Sequence, residues 1–180
     1  MQEENRVRRR VRRLPGKMRG RLRGHHAPLS LKYALWGLIS GTASILAILT
    51  VTHMAGHPLL IGSFGASAVL LFGAAESPLA QPRNLLGGHL VSALVAVAVV
   101  ALGATGMLAI SLAVGLSIFL MYLTRTVHPP GGATALIGVQ GHAGLFFILI
   151  PVLAGVLILL ATALLTNNIV HHRQYPRHWL

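Results

Sequence analysis

The sequence has no cysteine and no aspartate, and its only carboxylates are Glu3, Glu4 and Glu76. Without cysteine there is neither a disulfide nor a thiol nucleophile, in whatever compartment the chain resides. Without aspartate an intramembrane aspartyl protease is excluded, and no Ser–His pair sits in a nucleophile-elbow motif. The chain is therefore not expected to be an enzyme, and no cofactor-binding or ATP-binding motif is present. Charge is also scarce outside one place. Ten of the fifteen Lys and Arg lie between Arg6 and Arg23, so the net charge of +12 belongs to the N-terminal tail and not to the body.

What the chain does have is uninterrupted apolar sequence, in 180 residues that are 54% hydrophobic. Long runs cover Tyr33 to Thr52, Leu85 to Leu102, Met107 to Leu123 and Leu145 to Thr166, the last containing Pro151 and Gly155. Shorter apolar pieces, Leu59 to Ala75 and Gly131 to Val139, fall between them. A soluble core does not need charge-free runs of this length, whereas about twenty apolar residues cross a hydrocarbon layer of ~30 Å. The expected fold is an all-α membrane protein, a helical bundle of two similar halves. Each half reads long–short–long, giving four long transmembrane helices plus two short broken or re-entrant ones. Residues 1–30 form a basic tail, expected to be disordered and cytoplasmic. Residues 31–168 form the membrane domain, and 169–180 a polar tail with His171, His172, Arg173, Arg177 and His178.

The halves, about 35–101 and 102–168, align without a gap when Gly65 is laid on Gly132. Gly65-Ala66-Ser67-Ala68-Val69-Leu70 then falls on Gly132-Ala133-Thr134-Ala135-Leu136-Ile137, and Leu86, Gly88 and Leu90 fall on Leu153, Gly155 and Leu157. Short Gly/Pro-interrupted segments at equivalent places in two halves point to a transporter's binding site. Each would offer first-turn backbone N–H groups and one hydroxyl, Ser67 or Thr134, to a small anion.

The most informative stretch is Arg125-Thr126-Val127-His128-Pro129-Pro130-Gly131-Gly132-Ala133-Thr134. Pro129 and Pro130 fix φ and lack an N–H, so an incoming helix stops by about Val127. Gly131 and Gly132 allow a turn, after which a short helix starts near Ala133. Broken helix at membrane depth is tolerated where it lines a cavity or is buried in protein. His128 either donates to a passing anion and gates by titrating, or braces the turn by bonding a carbonyl. Arg125 and Arg83 either attract anions at an entrance or snorkel at the cytoplasmic face. Glu76 is a candidate proton carrier, or pairs with Arg83. His89, in an apolar run after Gly87-Gly88, is a second candidate for proton coupling, or packs against the Gly65 region. Ser77-Pro78 reads as an N-cap with proline at the first helical position, followed by Gln81-Pro82 in the same polar connector. His53 and His57 are four apart, but Gly56 and Pro58 end their helix and no third ligand is near, so no metal site is expected.

The basic tail reads as a topology anchor touching anionic lipid; no aromatics or module support nucleic-acid binding. With Arg173 and Arg177, it places both termini in the cytoplasm and makes the number of crossings even, four or six, six being favoured. A small chain of this kind is expected to form a homo-oligomer.

These residues resemble a known family. The run His128-Pro129-Pro130-Gly131-Gly132-Ala133-Thr134-Ala135 is similar to the signature of the HPP family of integral membrane proteins. Gly62 to Phe72 and Ser77 to Asn84, continuing into Gly87-Gly88-His89, are similar to further blocks of that family. The likeness covers about residues 30–168. It implies four transmembrane helices and a small-anion transporter, with nitrite as substrate, since plastid and cyanobacterial members are linked to nitrite transport. The Arg-rich start, without a Ser-rich transit segment, implies a bacterial inner membrane. The alternative is a non-transporting scaffold or sensor subunit whose glycines serve helix packing.

Overall fold

The computed structural model describes residues 6, 30–54, 61–169 and 173–180. The tail expected to be disordered, the His57-Pro58 helix end, and His171 and His172 lie outside the described residues, Arg6 apart.

Among the described residues from 30 onward, six long or medium helices follow one another. They are α1 (Leu31–Met54), α2 (Gly62–Gly73), α3 (Pro82–Ala101), α4 (Gly106–Leu123), α5 (Pro129–Gln140) and α6 (Ile148–Ile169). No strand occurs among the described residues. Helices α1, α3, α4 and α6 are long and apolar enough to cross a membrane. At 1.5 Å per residue, the 12 residues of α5 span ~18 Å, short of a ~30 Å layer.

Local sequence sets the boundaries. Helix α3 starts at Pro82, where a missing N–H costs nothing, and ends before the turn through Gly103 (φ 73°) and Gly106 (φ 83°), a left-handed backbone that glycine adopts freely. Helix α4 ends at Leu123, and Arg125 then takes a left-handed φ of 56°. The next helix corrects the expectation of a start near Ala133. Pro129 and Pro130 occupy the first turn of α5 itself, and Gly131 and Gly132 are helical. The φ that the pyrrolidine ring fixes is already a helical one, so the prolines begin a helix as well as ending one. In α6 the helix is broken at Ile150 (φ −133°, ψ 121°), the residue before Pro151.

Helix α5 lies against α2, α3 and α4. Glycine makes this approach close. A Cβ on Gly88 would lie 2.5 Å from His128 Cβ, one on Gly131 2.7 Å from the Gly88 carbonyl oxygen, and one on Gly138 2.6 Å from Ala96 Cβ. Gly155 of α6 lies flat against the Phe64 ring in the same way. Phe64, Leu71, Phe72, Ile48, Val152, Val156 and Leu159 fill the core between α1, α2 and α6. A smaller cluster, Val95, Ala96, Ala109, Ala113 and Val139, joins α3, α4 and α5. Helix α4 buries only Ala109, Ala113, Ser117 and Met121, one residue per turn, and exposes leucine, isoleucine and phenylalanine elsewhere, as a lipid-facing helix does.

The C-terminal segment folds back under this bundle. Tyr175, 2% exposed, donates from its hydroxyl to the Ala80 carbonyl (2.9 Å), and Arg177 N–H donates to Gln81 Oε1 (2.8 Å). Gln81 Nε2 donates in turn to the Ala75 and Ser77 carbonyls. The connector between α2 and α3 is thereby held from both sides.

Candidate functional site

Five polar side chains with no exposed surface, Ser63, Ser67, His89, His128 and Thr134, meet where α2, α3 and α5 converge. Ser63 and Ser67 are four apart on α2 and share its inner face. His128 is the N-cap residue of α5, with extended backbone (φ −137°, ψ 104°) that turns its ring back toward α2. His89 sits on α3 directly after the two glycines that admit α5 and its approach loop.

The contacts form one chain. Thr134 Oγ1 donates to Ser63 Oγ (2.9 Å) and lies 2.8 Å from His89 Nδ1. His89 Nε2 lies 2.8 Å from Ser67 Oγ, which lies 2.9 Å from His128 Nε2. His128 Nδ1 is 2.8 Å from the Leu79 carbonyl oxygen and donates to it. Ser67 Oγ is also 3.1 Å from the Ser63 carbonyl oxygen. The imidazoles are 5.0 Å apart centre to centre, and Phe64 closes one side at 5.7 Å from His89. No charged side chain takes part. Such groups are costly to hold out of water unless paired, and each of the five lies within hydrogen-bond distance of another polar atom.

The expectation of free N–H groups at the helix starts is corrected. Pro129 and Pro130 have none, and Gly131 N–H donates to the His128 carbonyl (2.8 Å). Gly65 to Ser67 lie inside α2, whose first residue is Gly62. The polar surface at the convergence is made of imidazole and hydroxyl, not of amide ends.

The remaining candidates lie apart from the cluster. Gly65 is exposed with open space around it. Gly132 lines an apolar groove of about 510 Å³ between α4 and α5, with Val114, Ile118 and Leu136. Gly131 is buried against the Gly88 carbonyl. Arg83 Nη2 donates to the Thr124 carbonyl (2.9 Å), bracing the end of α4, and Arg125 is exposed. Glu76 pairs with Arg177 (2.5 Å) rather than with Arg83, because the returning C-terminal segment reaches it first. Ser77 caps a short turn, Pro78–Ala80, by accepting from Leu79 N–H (3.2 Å). That cap orients the Leu79 carbonyl which His128 uses. The sequence reading did not single out Ser63, Leu79, Ser92 or Tyr175. Only Ser63 left a signal, its spacing of four from Ser67.

The family model for the HPP transmembrane region matches residues 26–176. The chain belongs to the HPP transmembrane family. A transmembrane protein of Dictyostelium discoideum is 47% identical over 156 residues, which is 80% of this chain and 55% of the relative. A second from the same organism is 52% identical over 128 residues, 67% of this chain and 41% of the relative. This HPP chain thus spans about half the length of the curated relatives it matches, which are described as transmembrane proteins and no further. Relatives from that organism do not single out a bacterial membrane. No solved structure matches the chain.

Proposed function

We propose that the chain carries a small inorganic anion, nitrite first among candidates, across the membrane, and that the imidazole–hydroxyl cluster is where the substrate is taken up. One observation carries this reading. Five fully buried polar side chains from three helices meet in a bundle that has no packing need for them. Polar groups inside a membrane domain are costly and mark substrate or ion pathways. Imidazole and hydroxyl groups suit a weakly basic monoanion, since they carry no fixed charge that would hold it so tightly that release is blocked. The closed cluster is then the occluded state, and transport requires α5 and α2 to part.

The finer features of this proposal are the two similar halves, a bacterial inner membrane with both termini cytoplasmic, the basic N-terminal segment against anionic lipid, and assembly with further copies. The process is passive or driven by an ion gradient.

A second reading, a non-transporting scaffold, is favoured by the filling of the contact itself. The apolar grooves along α1 and on either side of α4 are lined by no residue of the cluster. Nitrite uptake into proteoliposomes, with His128→Ala and Thr134→Val beside the wild type, separates the two. Transport through the cluster predicts wild-type uptake well above protein-free vesicles and loss in both variants. Wild-type uptake no faster than in empty vesicles removes nitrite transport and favours the scaffold, and unchanged uptake in both variants removes the proposed site.

A further inference from the structure

The hydrogens of the cluster can be counted. Thr134 has one hydroxyl hydrogen and gives it to Ser63 Oγ, so toward His89 Nδ1 it can only accept. His89 Nδ1 therefore carries a hydrogen. His128 Nδ1 carries one as well, because its partner is a carbonyl. In neutral imidazoles both Nε2 atoms are then lone pairs, and both point at Ser67 Oγ, 2.8 and 2.9 Å away. Ser67 has a single hydrogen for those two nitrogens and for the Ser63 carbonyl oxygen at 3.1 Å. The neutral cluster is short of a donor. One added proton removes the shortage: on either Nε2 it donates to Ser67, whose own hydrogen then serves the other imidazole.

That proton brings a positive charge, and nothing nearby among the described residues balances it. Helices α2, α5 and α6 contain no ionisable residue, and α4 only the exposed Tyr122. Besides His89, α3 has Arg83, which is bonded to the Thr124 carbonyl. Helix α1 has Lys32, Tyr33 and His53, near its two ends. Tyr175, from the C-terminal segment, is bonded to the Ala80 carbonyl. Glu76, the only side-chain carboxylate among the described residues, is paired with Arg177. An unpaired imidazolium in a dry interior is strongly disfavoured, so the charge needs a partner that arrives with it. A donor for such a partner is at hand. Ser92, one turn along α3 from His89 and beside Gly131, is fully buried, and its hydroxyl has no hydrogen-bond partner.

We propose that this cluster binds a proton and a monovalent anion together, the proton on Nε2 of His89 or His128 across Ser67, the anion against the resulting imidazolium and Ser92. The coupling part rests on the anion-transport reading of the same cluster, and makes that transport an electroneutral one-to-one symport. The proton adds to a nitrogen lone pair on entry and leaves from it with the anion, so no bond in the protein changes otherwise.

The test uses the full chain in two preparations. In weakly buffered detergent solution, sodium nitrite is titrated in while a pH dye reports proton uptake. One proton per bound nitrite is expected for the wild type, with loss in His89→Asn and in His128→Asn. In proteoliposomes, nitrite flux is expected to follow an imposed pH gradient and to ignore an imposed voltage. Nitrite flux without proton uptake overturns the inference and keeps the transport reading. Proton uptake without flux keeps the paired binding and removes transport. The absence of both removes both.

Discussion

His89 and His128 face one another across a single hydroxyl, that of Ser67, with their ring centres 5.0 Å apart. One comes from the middle of an unbroken helix, the other from the N-cap of a short helix two elements later. Several outcomes are tied to this arrangement.

Ser67→Ala removes the only atom that both imidazoles share and leaves two buried Nε2 nitrogens without a partner. The expected cost is about 1–3 kcal/mol in stability, the usual penalty for an unsatisfied buried polar group. Thermal unfolding in detergent reads it. A melting point equal to wild type contradicts the contact.

Gly88→Ala places a methyl group 2.5 Å from His128 Cβ and 3.0 Å from the Thr126 carbonyl oxygen. Backbone on one side and a packed imidazole on the other leave little room to yield, so about 1–3 kcal/mol of overpacking is expected. Gly65→Ala, with nothing within 4 Å of its would-be methyl, serves as the matched control and should melt like wild type.

Tyr175→Phe tests the C-terminal segment. Losing the bond to the Ala80 carbonyl should cost about 1 kcal/mol near neutral pH. Amide hydrogen exchange over residues 173–180 should speed up accordingly. Burial also pushes the Tyr175 hydroxyl above its ordinary 10.0. A group raised in the folded state stabilises fully below its unfolded value, and that stability is lost as pH climbs past it. Wild type should therefore lose stability progressively above about pH 10, and Tyr175→Phe should lose less.

Glu76→Gln breaks the pair with Arg177, whose members are 71% and 42% exposed in their side chains. Surface pairs are worth about 0–1 kcal/mol, so the melting point should barely move. Proton-linked nitrite uptake should survive as well. Its loss would return Glu76 to the coupling role that its position in the sequence first suggested.

Much of the fold was legible because membrane helices are written as charge-free runs. The four long runs became α1, α3, α4 and α6, with every end within about three residues of the expected one and the start of α3 set by Pro82. The start of α5 departs from the expectation near Ala133 because the φ that proline fixes suits a first turn as well as a stop. The earlier start moves the first turn onto two prolines without an N–H and leaves the Gly131 N–H donating to the His128 carbonyl. His89, His128, Ser67 and Thr134 were visible as polar residues in apolar or broken segments. Leu79 was not, because a backbone carbonyl leaves no mark in composition.

The sequence alone determined the membrane body, its six helical pieces, and which polar residues are carried into it. It could not determine that Glu76 is taken by Arg177, or that two imidazoles share one hydroxyl. Those pairings join residues 22, 61 and 101 positions apart. They depend on how each helix is rotated and how closely glycine lets α5 approach α3, which only the packed bundle decides.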